Sequence, residues 1–106
     1  MGRQIEAAAA GEIPLDSLKR VTVGEREICI AHTATDEWFA IDDVCSHEWS
    51  SLSDGLLRGD TVECPQHSSR FSLRTGEPAL PPAEEPVATF PVTVENGVVY
   101  VTIDEP

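Results

Sequence analysis

Positive charge is scarce in this chain: seven Lys and Arg stand against nineteen Asp and Glu, for a net charge of −12 over 106 residues. A nucleic-acid-binding domain needs a basic face to neutralise phosphates, so no nucleic-acid partner is expected. The acidity leaves two readings open, solubility or a face that docks on basic partners. No apolar run approaches the roughly 18 residues of a membrane span, and none is expected. The first sixteen residues, "MGRQIEAAAAGEIPLD", have neither the basic start nor the long apolar stretch of a signal peptide. A cytoplasmic location is therefore expected. Cysteine is limited to Cys29, Cys45 and Cys64. An odd count without a secretion signal argues against a disulfide framework and for metal-bound thiolates. The length fits one domain, 1–106, with no repeat or linker.

What the chain does contain is strand pattern. "LKRVTV" (18–23) and "REICIAHT" (26–33) flank Gly24-Glu25, a pairing that suits a type II′ hairpin. "EWFAIDD" (37–43) is aromatic and β-branched and predicts a third strand. "ATFPVTV" (88–94) and "VVYVTI" (98–103) flank Asn96-Gly97, a strong hairpin signal. Short strands are predicted at 61–64 and 70–73, with turns at 53–55, 58–60 and 75–77. The proline-rich segment 77–86 can be neither regular helix nor central strand. A helical turn is predicted only near "PLDSL" (14–18). The fold class is all-β, a sandwich or barrel with a loop-rich insertion over about 44–87.

That insertion holds two mixed pairs, Cys45-x-His47 and Cys64-x-x-His67, sixteen residues apart. Within it, His47 and His67 lie two and three residues after a cysteine. Four nitrogen and sulfur donors suit zinc or an iron–sulfur centre. Zinc sites commonly separate paired ligands by two to four residues, which fits the second pair but not the first. A [2Fe–2S] cluster with thiolates on one iron and imidazoles on the other explains why each pair is mixed. The remaining candidates read as structural. Cys29 is expected in the core and His32 on the surface. Trp38 and Phe39 should point to opposite faces of their strand, one of them core and the other partly covered. Phe90 and Tyr100 are expected as core or edge residues of the last hairpin.

The two pairs, with the span from "FAIDDVCSHEWSS" to "RFSLRTGEP" and the closing "ATFPVTVENGVVYV", resemble a soluble Rieske-type ferredoxin. The resemblance implies an antiparallel β-sandwich carrying a smaller cluster-binding subdomain of loops and short strands. It implies one [2Fe–2S] cluster, with Cys45 and Cys64 on the inner iron and His47 and His67 on the outer, more exposed one. Two ferric ions, two sulfides and two thiolates sum to zero, so one electron makes such a site anionic. Imidazole in place of thiolate raises the potential into a range of roughly −150 to +300 mV. High-potential relatives add a disulfide between the loops; its positions match Ser50 and Gln66 here, and neither is cysteine. They also place serine and tyrosine hydroxyls near the cluster, at positions matching Ser69 and Phe71. A low potential is expected, raised a little by Ser69. Glu48 and Ser68 stand where the family often has glycine. Trp49 is expected to cap the cluster, Pro65 to stiffen the turn, and Pro81 and Pro82 to form a third, screening loop.

The resemblance further implies a one-electron carrier and not an enzyme. It would be a monomer, taking electrons from an NAD(P)H-dependent flavoprotein reductase. It would deliver them to the terminal oxygenase of an aromatic-ring dioxygenase system, carbazole-type among the options. The alternatives are a small subunit of an assimilatory nitrite reductase, or a zinc-stabilised binding module.

Overall fold

Strand β3 (Arg26–His32) is buried on both faces, and the rest of the fold is arranged around it. Successive side chains of a strand point to opposite faces. Ile28 and Ile30 therefore enter one core, and Cys29 and Ala31 another. A strand covered twice has no polar row, which is why "ICIA" reads as a continuous apolar run. The computed structural model of the protein describes residues 2–23, 26–43, 51–65, 70–80 and 86–104.

The described residues form three antiparallel sheets. β2 (Ser17–Val23), β3, β4 (Trp38–Asp42) and β9 (Thr89–Phe90) make the central one, in that order. β1 (Gly2–Ala9), β11 (Val98–Asp104) and β10 (Val92–Glu95) make the second. Its Val99, Val101 and Ile103 pack on Ile28, Ile30 and Ala40 of the central sheet. Burying each large aliphatic side chain here contributes roughly 1.5–3 kcal/mol. β5 (Leu56–Arg58), β6 (Thr61–Glu63), β7 (Arg70–Ser72) and β8 (Pro78–Leu80) form the third. This sheet lays Val62 and Phe71 against Cys29, Ala31 and Ile41, on the other side of the central sheet.

The all-β expectation holds: among the described residues there is no α-helix, only 3-10 turns at Ala10–Glu12 and Leu52–Asp54. The Asn96-Gly97 hairpin forms as predicted, with Glu95 opposite Val98. Both turn residues have positive φ, 51° and 76°, as a type I′ turn requires. Val23 opposes Arg26, so β2 and β3 are joined by two residues. Gly24 and Glu25 themselves lie outside the described residues. Among the described residues of the proline-rich segment lies β8, an edge strand paired there with β7.

Three expectations need correction, and one element, β1, was not anticipated. The helical turn near 14–18 is absent: Leu15 and Asp16 form a turn, and Ser17 already pairs with His32 in the sheet. Asp16 has φ 60°, which no right-handed helix accepts. The alanine-rich N-terminus is a strand, β1, whose hydrogen-bond ladder with β11 outweighs the low β-propensity of alanine. Its register shifts between Glu6 and Ala8, a bulge. The stretch 88–94 is two strands, because Pro91 offers no N–H and the chain changes sheets there. Trp38 and Phe39 do point to opposite cores, but both are half-buried and neither is fully core. Phe90 on β9 and Tyr100 on β11 are also half-buried, Phe90 against the sandwich core.

Candidate metal centre

Cys64 follows the last residue of β6 and is 1% exposed, within the core shared by Cys29, Ile41, Leu52, Val62 and Phe71. β6 and β7 pair as far as Glu63↔Arg70, which sets the two ends of the connecting segment 64–69 opposite each other. On the outer face of this hairpin Glu63 accepts a hydrogen bond from Arg70 at 3.4 Å and forms an ion pair with Arg58 at 3.5 Å. Three charges on neighbouring strands thus hold the hairpin just before its thiol. Pro65 is exposed in the turn that follows.

The other cysteine-bearing segment leaves β4 at Asp43. The Leu52 N–H donates to the Asp43 carbonyl at 2.6 Å, and the Ser53 N–H to Asp43 Oδ1 at 2.9 Å. The chain therefore returns to where it left. The returning turn then meets the hairpin closely: a Cβ placed on Gly55 would lie 1.9 Å from the Glu63 carbonyl oxygen. Only glycine permits that approach. The ends of the two predicted ligand segments are in this way brought together beside Cys64. Cys45, His47 and His67 lie outside the described residues, as do Glu48, Trp49, Ser50, Gln66, Ser68, Ser69, Pro81 and Pro82. Among the described residues no three Cys, His, Asp or Glu side chains gather.

The thiols differ in role. Cys29 is fully buried on β3, as expected, and burial followed by the charge of Asp43 pushes its thiol far up. Burial favours the neutral thiol, which packs as a small apolar side chain. His32 corrects the surface expectation: it is 8% exposed, and both ring nitrogens are engaged. Nδ1 donates to the Ile13 carbonyl at 2.8 Å, Nε2 lies 2.6 Å from Asp36 Oδ1, and the ring stacks on Trp38 at 3.8 Å. Asp36, four residues on, was the available signal. Phe71, where a tyrosine hydroxyl was considered, is fully buried in the core around Cys64. Sequence reasoning missed the close approach of Gly55 and the buried side chain of Asp43, which ends an inward row begun by Phe39 and Ile41.

The Rieske [2Fe-2S] domain family matches residues 3–91. The chain belongs to that family. A Rieske domain implies a [2Fe–2S] cluster, and a thiol buried at the ligand hairpin, with a second cysteine and two histidines in the same segments, is a fitting donor set. The ferredoxin component of a p-cumate 2,3-dioxygenase system from Pseudomonas putida is 38% identical over 96 residues, 90% of this chain and 81% of that one. In a solved complex of reduced oxygenase and oxidised ferredoxin of carbazole 1,9a-dioxygenase, the matching Rieske chain is 36% identical with a TM-score of 0.84. The match covers 92% of this chain and 91% of that chain. A protein assigned as the small subunit of an NADH-dependent nitrite reductase from Mycobacterium tuberculosis superimposes at TM-score 0.89 with 16% identity, over 100% of this chain and 99% of that one. That similarity shows the shared Rieske fold alone. No helix among the described residues is long and apolar enough to cross a membrane.

Proposed function

We propose that this Rieske protein is a one-electron carrier of an aromatic-ring dioxygenase system. It takes electrons from an NAD(P)H-dependent flavoprotein reductase and passes them to a terminal Rieske oxygenase. The reading is carried by one observation: a chain from a solved complex of oxygenase and ferredoxin of carbazole 1,9a-dioxygenase matches this one over 92% of its length. One [2Fe–2S] cluster would be held by Cys45 and Cys64 on one iron and His47 and His67 on the other. When bound, it supplies a one-electron couple. The chain's own part is to bury the Cys64 thiol away from water and to hold the two ligand segments together through Asp43, Gly55 and the Arg58–Glu63–Arg70 set. The acidic surface favours fast, salt-sensitive docking with basic partners. The protein acts as a cytoplasmic monomer. The aromatic substrate belongs to the oxygenase: relatives of this chain serve p-cumate and carbazole systems alike.

The test is anaerobic. The purified protein should be red-brown, hold two irons, and take up one electron per two irons. Mixed after reduction with a terminal Rieske oxygenase of the carbazole class, it should lose that electron to the oxygenase, more slowly as salt rises. A colourless, zinc-loaded protein would sink the reading, and so would a reduced protein that no such oxygenase can oxidise.

A further inference from the structure

Asp43 is the one buried side chain among the described residues with a polar atom left unpartnered. Its side chain is 0% exposed, and Oδ2 has no hydrogen-bond partner while Oδ1 accepts from the Ser53 N–H. Buried carboxylates are costly unless fully paired, so a half-satisfied one calls for an explanation. Its position supplies one. The N–H of Asp43 donates to the Glu27 carbonyl at 3.2 Å, which ties the residue to the central sheet. Its carbonyl and Oδ1 then receive the Leu52 and Ser53 N–H groups, at 2.6 and 2.9 Å. One residue therefore fixes both the departure and the return of segment 44–50. The carboxylate also lies on the cluster side of the sheet: Phe39 and Ile41, at the same strand parity, pack in the core that holds Cys64.

We infer that Asp43 is a positioning residue for the metal centre: through its N–H, carbonyl and Oδ1 it ties both ends of the first ligand segment to the central sheet. The inference rests on Cys45 and His47 being ligands. It goes beyond that assignment by giving the centre a positioning group that is not a ligand.

The experiment compares the full-length, iron-loaded wild type with Asp43→Asn, Asp43→Ala and, as a charge control, the exposed Asp54→Asn. Asparagine keeps an acceptor for Ser53 but removes the charge. D43N should therefore retain two irons and the wild-type visible circular dichroism. D43A should lose most of its iron, and its Ser53 amide should exchange faster with solvent while the amides of β3 stay protected. D54N should leave iron content, spectrum and Ser53 exchange at their wild-type values. Full iron and an unchanged spectrum in D43A would overturn the inference, as would a loss of iron in D43N equal to that in D43A. A wild type that binds no iron would overturn the Rieske ligand assignment itself. Failure of the Asp43 variants alone leaves that assignment standing.

Discussion

On one face of the central sheet Ile28, Ile30 and Ala40 meet Val99, Val101 and Ile103; on the other, Cys29, Ala31 and Ile41 meet Leu52, Val62, Cys64 and Phe71. The first core is hydrocarbon between long strands: β2, β3 and β11 run for seven residues each. The second is covered by strands of three residues, β5 to β8, which bury little area and few ladder hydrogen bonds. It compensates with specific devices. Gly55 lets the returning turn press on Glu63, and Gly76, at φ 76°, lets the β7–β8 turn press on Val87. Arg74 reaches from that turn to Glu37 at 2.9 Å and Asp60 at 3.2 Å, with its guanidinium over Phe39. The sandwich is held by burial, whereas the cluster-side layer is held by close approaches and ion pairs. If the proposed ligands hold a cluster, a layer of such short strands should depend on it.

Removing the metal should break the comparison most sharply. Where ligands gather only on folding, metal affinity is part of folding free energy. Chelating the iron, or Cys64→Ser, should abolish amide protection across 51–80 while β2, β3, β4 and β11 keep theirs in hydrogen exchange. Uniform loss across both layers would show that the two cores form one cooperative unit.

Ile30→Ala tests the other face. Ile30 is fully buried among sandwich residues, so the change should cost about 2–5 kcal/mol. The melting temperature should fall, while the midpoint potential of the folded, loaded protein should stay at its wild-type value. Gly55→Ala should do the reverse. Its Cβ would meet the Glu63 carbonyl oxygen at 1.9 Å, one residue before Cys64. Relief of the clash should cost about 1–3 kcal/mol and show as lost iron and an altered visible spectrum, measured by iron assay and circular dichroism.

Cys29 gives the smallest effect and a defined sign. Its thiol is held above its ordinary value of 9.0 by burial and then by Asp43. Below that value both folded and unfolded chains keep the proton, and the stabilisation is fully present. Above it the unfolded chain releases the proton while the folded chain retains it, so stability falls as pH rises. The slope contributed by this one group approaches about 1.4 kcal/mol per pH unit. Denaturant titrations from pH 8 to 10 should show a steeper alkaline loss in wild type than in Cys29→Ala. Equal slopes would place the alkaline loss elsewhere.

Local chemistry alone was enough to read the two Cys/His pairs, the Asn96-Gly97 hairpin and the apolar run of β3, because spacing, turn propensity and side-chain alternation are short-range properties. Those signals carried the fold class and the candidate ligands. The tertiary structure decided the rest. Pairing with β11 made a strand of the alanine run that precedes β2. Pro91 became a crossing point only because β4 and β11 lie in different sheets. His32 became a buried clasp because Ile13, nineteen residues away, supplies its acceptor. The tasks of Gly55 and Asp43 depend on carbonyl and amide groups from segments that meet only after the chain has folded. Burial and hydrogen-bond partners belong to pairs of distant residues, so a single stretch of sequence cannot display them.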